Sequence, residues 1–302
     1  MNEKIKEKLH LKKLKPAKLT DGIEELKQEF EERIKQGDTT YGLEILDDCV
    51  ETIRKGSITT IIAAPNSGKS ICAQNIAIHL AKQDKKVIIC SCEMGAGLLM
   101  ERQFKQLLGV SSKQLKEGYE NTRDITLSLM DSLIEDKNYR YLDNIDIVET
   151  GGATVYDILE MLEIYNEYEY IIIDYIQRIR GVGQDYEVIT EAFSEFQNYA
   201  RITGKKMIIC SQVSRGTNLE AKGVGNKKDN LIDPSRLRGK GSGSIEEDSD
   251  VGISLLEDYS EGNKYIYITI FKNRYGNKKN ITYTYKLSDR LQFVLVRRSL
   301  WA

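Results

Sequence analysis

Between Ser57 and Gln212 the chain alternates short, unbroken apolar runs with helical patterns, and this alternation constrains the fold more than any other feature. The runs are SITTIIAA (57–64), KKVIICSCEM (85–94), NIDIVET (144–150), YEYIIIDYIQ (168–177) and KKMIICSQ (205–212). Continuous runs rich in Ile and Val belong to strands covered on both faces. Helical periodicity fills the gaps over Ile71–Lys82, Leu98–Leu108, Thr122–Glu135, 154–165 and 187–204. The alternation predicts an α/β domain with a mainly parallel sheet flanked by helices. After about residue 250 the pattern changes. Runs at 250–258, 264–274, 281–288 and 291–298 follow without helices, which predicts antiparallel strands added at the sheet edge. No internal repeat interrupts this reading.

The N-terminal part is different. Residues 1–18 hold seven lysines against Glu3 and Glu7, a solvated basic tail with a phosphate-backbone contact as the alternative. The stretch 20–37 carries Ile23, Leu26, Phe30 and Ile34 on one helical face. Asp21 and Glu24 have capping-box spacing, and Gly37 closes the segment. The division expected is a basic tail and one amphipathic helix over 1–40, which packs on its own domain or clasps a neighbouring subunit, then one α/β domain over 41–302. Charge and cysteine content narrow the function. A net charge of −2 excludes a uniformly basic nucleic-acid binder, so any such surface must be local. Five cysteines without metal-ligand spacing, and only two histidines, argue against zinc and for a reduced, cytoplasmic protein. No apolar stretch reaches membrane-spanning length, and the lysine-rich start lacks the apolar segment of a signal peptide.

One connection carries chemistry. Ala63-Ala64-Pro65-Asn66-Ser67-Gly68-Lys69-Ser70 lies between a strand and a helix and ends as a phosphate-binding loop does. The backbone of Ala64 to Ser70, through its N–H groups other than the missing one at Pro65, would surround phosphate oxygens, Lys69 would reach the β- and γ-phosphates, and Ser70 would bind Mg²⁺. Ala63 stands where glycine is usual, which is tolerable if the position needs no positive φ. Asp174 closes a buried strand, where an unpaired acid is unfavourable unless it meets a metal, and is the second Mg²⁺ candidate. Glu93 ends the strand after the loop's helix, at the edge where ligands collect, and is the candidate general base. A helix N-terminal acid is its alternative role. Gln212 ends another strand there, and its uncharged amide suits a γ-phosphate sensor.

AAPNSGKS, SCEM, IIIDYIQ and SQVSRG, in this order, resemble the RecA-like motor domain of DnaB-type hexameric replicative helicases. That family's loop typically begins with alanine and carries a proline two residues on. GSGSIEEDSDV and KNRYGN are similar to its G-S-I-E-Q-D-A-D and K-N-R-x-G segments, so the likeness runs from about Gly42 to Phe293. The resemblance implies a RecA-like P-loop NTPase fold, ATP with Mg²⁺, single-stranded DNA, a homo-oligomeric ring (a hexamer in this family), and a primase or helicase loader as further partner. It implies that Lys272 and Arg274 reach across a subunit interface to the neighbour's γ-phosphate. It also implies that the segment Arg236–Ser244 lines a central channel and binds DNA. Seven Lys/Arg against three acids between Arg215 and Ser242 agree with that, and glycines let backbone approach phosphates closely. Arg215, Arg236, Arg238, Lys240, Gly241 and Ser242 are the candidate DNA contacts, with a solvated basic loop as the alternative.

Some positions depart from the family. RLRGKGSGSI is two residues longer than its L-R-E-S-G-S-I, so Arg238 and Lys240 compete for one position. NKKN replaces P-T-G after Gly276. With the loop near residue 63 and Met1 expected as the start, the family's N-terminal helical domain is missing, as in a compact phage or plasmid form. The expected function is an ATP-dependent ring helicase of DNA replication, in a bacterial or phage-infected cell. The alternatives are a non-unwinding RecA-like DNA-binding ATPase and a nucleotide-gated assembly protein.

Overall fold

The computed structural model describes residues 18–50, 52–108, 117, 131, 135–213, 245, 248–260, 263–288 and 291–299. The basic tail to residue 17, most of the helix expected over Thr122–Glu135 and the basic stretch Arg215–Ser242 lie outside them.

Six helices and nine strands order the described residues. In chain order they are α1 (Leu19–Gln36), α2 (Glu44–Val50), β1 (Ile58–Ala63), α3 (Lys69–Lys82), β2 (Val87–Ser91), α4 (Ala96–Leu108), β3 (Ile145–Glu149), α5 (Val155–Ile164) and β4 (Tyr170–Asp174). Then follow α6 (Asp185–Thr203), β5 (Lys206–Gln212), β6 (Val251–Ser260), β7 (Asn263–Asn273), β8 (Ile281–Leu287) and β9 (Phe293–Ser299). Short 3-10 turns precede β3 and follow β4, at Lys137–Asn144 and Ile176–Arg178.

All nine strands form one sheet in the order β3-β2-β4-β5-β1-β6-β7-β8-β9. The first six are mutually parallel, and β7, β8 and β9 add antiparallel. One expectation is corrected here. The sequence pattern groups β6 with the antiparallel additions, but it pairs parallel to β1, with Thr59 opposite Val251. Its short link to β7 dictates only the β6–β7 hairpin; the long connection from β5 is free to return it alongside β1 in the same direction.

The unbroken apolar runs end up where their composition requires. Every residue of β1, β2 and β4 is buried. Side chains alternate between the faces. Ile61 and Ala63 pack with α2, α3 and inward residues of β7 and β8, while Ile58 packs with α5 and α6 on the other face. Each fully buried Ile or Phe contributes about 1.5–3 kcal/mol relative to exposure. β3 is an edge strand and only partly buried, despite its apolar sequence.

The helix ends follow local chemistry. Thr154 and Asp157 form a capping box at α5, and Gly204 in the left-handed region ends α6. α1 begins at Leu19, so Asp21 lies inside the helix rather than at its cap. Gly37, with φ 76°, closes α1 as expected. Along α1, Ile23, Leu26 and Phe30 stay about half exposed and Ile34 is 83 % exposed.

Candidate nucleotide-binding site

The loop after β1 has the geometry that its composition calls for. Positive φ falls on Asn66 (63°) and Gly68 (86°) and not on Ala63, which closes β1 opposite Gln212 of β5. Asparagine tolerates the left-handed region and glycine is indifferent to it, so alanine at position 63 is accommodated. The loop tightens through Ser67 N donating to Ala64 O (3.2 Å) and Cys72 N donating to Gly68 O (2.8 Å). Helix α3 then starts at Lys69, two residues before the sequence pattern places it, with no side chain capping its N-terminus. The first N–H groups of a helix lack intrahelical partners and carry the positive end of its dipole, a ready anion site. Lys69 is buried, and its ammonium lies 3.8 Å from the centroid of the Tyr175 ring. Pro65 and Asn66 are exposed at the loop tip, and Ser70 sits in the first turn of α3.

Three further candidates share this edge. Gln212 closes β5 there, Asp174 closes β4 opposite Ser91 of β2, and Glu93 follows two residues after Ser91. Asp174 is buried, and its Oδ1 has no hydrogen-bond partner among the described residues. An orphaned buried carboxylate oxygen beside a phosphate loop fits a cation. No cluster of three or more His, Cys, Asp or Glu capable of holding a metal occurs among the described residues. A magnesium site needs none, because Mg²⁺ bound with phosphates takes one or two protein oxygens and keeps waters. Burial, with the Asp174 charge nearby, also raises the Cys210 thiol well above its ordinary value.

Glu93 is not a simple helix-end acid. Its Oε1 accepts from Arg178 Nη2 at 2.7 Å and, more loosely, from the Tyr175 hydroxyl at 3.4 Å. Arg178 Nε donates to the same hydroxyl at 2.9 Å. Burial first, then the Glu93 charge, raises the Tyr175 hydroxyl above its ordinary value. Gln177, between these two residues, donates to Ser211 Oγ (2.8 Å) and accepts from Gln212 N (3.0 Å), so the turn after β4 is fastened to the end of β5. Sequence patterns assign no role to Tyr175, Gln177 or Arg178. Arg178 meets a glutamate 85 positions away, and no local pattern announces that.

Lys272 and Arg274 lie elsewhere. Lys272 pairs with Gly252 near the start of β6, and Arg274 N donates to Asp250 O (2.8 Å) just before that strand. This is the edge where β1 begins, opposite the loop. β1 has six residues, so at about 3.3 Å per residue the two edges stand about 17 Å apart. Arg274 Nη1 donates to Asp250 Oδ1 at 2.6 Å, and Asp250 Oδ2 accepts from Ile58 N at 2.9 Å. Gly252 permits this corner, since a Cβ there would fall 2.2 Å from the Phe271 ring. Arg215, Arg236, Arg238, Lys240, Gly241 and Ser242 lie outside the described residues.

A parallel core with antiparallel C-terminal strands, a phosphate loop after its first strand and acids at the neighbouring strand ends define a RecA-like P-loop NTPase domain. The family model described as "DnaB-like helicase C terminal domain" matches residues 39–293, and the chain belongs to that family. A replicative DNA helicase DnaB of Geobacillus stearothermophilus is 29% identical over 251 residues, covering 78% of this chain and 52% of the relative. A probable plasmid replicative DNA helicase of Chlamydia muridarum is 30% identical over 241 residues, covering 78% and 50%. The chain thus spans about half the length of the curated relatives it matches. Two solved structures share the fold at 20% identity. One is described as an ATPase domain (TM-score 0.74, 94% of this chain and 100% of that one). The other is a DnaB-like replicative helicase described with its interactions with primase (TM-score 0.72, 93% and 67%).

Proposed function

We propose that this chain is the ATP-hydrolysing motor of a ring-forming helicase that moves along single-stranded DNA during replication. Residues 41–302 are the motor domain, and 1–40 are a basic tail with a linker helix that docks on the adjacent subunit. The exposed Ile23/Leu26/Phe30/Ile34 stripe suits that docking. In this reading the Ala64–Ser70 backbone and Lys69 hold the phosphates of ATP, and Ser70 and Asp174 hold Mg²⁺. The metal, when bound, neutralises charge on the β- and γ-oxygens. Glu93 takes a proton from the attacking water while ADP leaves, and Gln212 hydrogen-bonds the γ-phosphate. Arg215, Arg236, Arg238, Lys240, Gly241 and Ser242 contact DNA phosphates in the ring channel. A primase or a loader is the further partner, and the cytoplasm of a bacterial or phage-infected cell is the compartment. Among the described residues no helix is long and apolar enough to cross a membrane.

The observation that carries the reading is the separation of the phosphate loop from Lys272 and Arg274 by the length of β1. An arginine on the far edge cannot serve its own loop, but it can serve the loop of a neighbour stacked edge to edge in a ring. Supplied in trans, it stabilises charge that develops on the transferred phosphoryl and ties hydrolysis to assembly. Mixed rings test this. Glu93→Gln and Arg274→Ala should each bind ATP and turn it over poorly, while a mixture of exchanging subunits should recover part of the activity. It does so at interfaces where an intact Glu93 faces an intact Arg274. Demonstrated exchange without recovered activity would overturn the trans assignment.

A further inference from the structure

Arg178 is the charged group in direct contact with Glu93, and the contact is built from more than one side. Oε1 of Glu93 accepts from Arg178 Nη2 (2.7 Å) and from the Tyr175 hydroxyl (3.4 Å), while Arg178 Nε holds that hydroxyl at 2.9 Å. The three groups form a closed triangle. The Tyr175 ring is at the same time the platform for the Lys69 ammonium, 3.8 Å from its centroid. Tyr175 therefore touches the lysine of the phosphate loop with its face and the Glu93–Arg178 pair with its hydroxyl. The turn that carries Arg178 is held in place through Gln177, which bonds Ser211 and the backbone of Gln212.

We propose that Arg178 is a positioning residue that restrains Glu93, and that Tyr175 couples the restraint to the occupancy of the phosphate loop. This rests on the reading of Glu93 as the base. The guanidinium and the Tyr175 hydroxyl fix where Oε1 points, so the contacts have to loosen for Glu93 to turn its carboxylate toward the attacking water. The side chains of Arg178 and Glu93 are 52 % and 45 % exposed, and an ion pair so solvated shifts an equilibrium by no more than about fivefold. A restraint of that strength suits release rather than bracing. Phosphate is a stronger partner for an ammonium than an aromatic face, so a nucleoside triphosphate on the loop draws Lys69 from the Tyr175 ring. Tyr175 then loses one of the contacts that define its position, and with it the triangle loosens.

Steady-state ATP turnover without DNA tests the restraint. Arg178→Gln should raise kcat about two- to fivefold with KM unchanged, the factor that such an ion pair can hold back. Arg178→Lys, which keeps the charge, should return kcat toward that of wild type. Glu93→Gln combined with Arg178→Gln should stay at the level of Glu93→Gln alone. A second readout does not depend on turnover. 3-Fluorotyrosine placed at position 175 should shift its ¹⁹F resonance when Mg²⁺ and a non-hydrolysable ATP analogue are added. Arg178→Gln alone should reproduce part of that shift without nucleotide. If Glu93→Gln hydrolyses ATP normally, the base assignment fails and the restraint with it. If Glu93→Gln is inactive but Arg178→Gln leaves kcat and the resonance unchanged, or lowers kcat without rescue by lysine, the restraint alone is overturned.

Discussion

Asp250→Ala is the substitution that best separates the architecture of the Arg274 corner from its chemistry. Asp250 is buried, with one carboxylate oxygen accepting from Ile58 N and the other from Arg274 Nη1. Its backbone bonds to Ile58 O and from Arg274 N survive the substitution, so the strand register is retained. Alanine leaves the Ile58 N–H, at the start of the fully buried β1, without an acceptor, which costs about 1–3 kcal/mol. The lost contact to Arg274 adds at most about 1 kcal/mol, because that side chain is 45 % exposed. A total of about 1–4 kcal/mol is below the roughly 5–15 kcal/mol stability of a folded domain, so the variant should remain folded. Urea denaturation should show a lower midpoint with an unchanged slope. A double-mutant cycle with Arg274→Ala should assign about 1 kcal/mol or less to the pair itself. With Arg274 no longer held, ATP turnover should fall toward that of Arg274→Ala while nucleotide binding persists. A loss below about 0.5 kcal/mol would refute the hydrogen-bond argument, and normal turnover in a destabilised variant would refute the orienting role.

Three other outcomes are expected. Lys69→Ala should abolish nucleotide binding, whereas Glu93→Gln should leave binding intact and stop turnover, as equilibrium binding and steady-state hydrolysis would show. Deleting residues 1–37 should leave a folded domain that no longer forms rings, checked by light scattering; an undiminished oligomer would remove α1 from the interface. Asp47, which accepts from the amides of Tyr41 and Gly42, is pushed up to about 6 by burial, from an ordinary 3.8. The folded state then binds its proton more tightly, so the stability this group contributes falls as pH rises from about 4 to 6 and is level above. Urea midpoints of wild type minus Asp47→Asn across that range should show the decline.

Much of this protein is legible in its sequence. Short apolar runs between helical patterns point to strands covered on both faces, and β1, β2, β4 and β5 are such strands, whereas the similar run of β3 lies at the sheet edge and is only partly buried. Because a strand ends where its apolar run ends, the loop Ala63–Ser70, Glu93, Asp174 and Gln212 can be assigned to one sheet edge from the sequence pattern. Local chemistry suffices there, since each residue is positioned by the element it terminates. Gly37 closing α1 and the positive φ at Gly68 are likewise properties of the backbone at one residue.

Partnerships between distant residues are decided only by the tertiary structure. Whether β6 runs parallel or antiparallel depends on which strand it meets after a long connection, and it meets β1. The Arg178–Glu93 pair arises because β2 and β4 are neighbours in the sheet, and the Arg274–Asp250 pair because β7 folds back on β6. The placement of Lys272 and Arg274 on the edge opposite their own phosphate loop follows from that reversal. Sequence periodicity specifies which face of an element is buried; sheet order specifies which ends of different elements meet, and long-range packing alone sets that order.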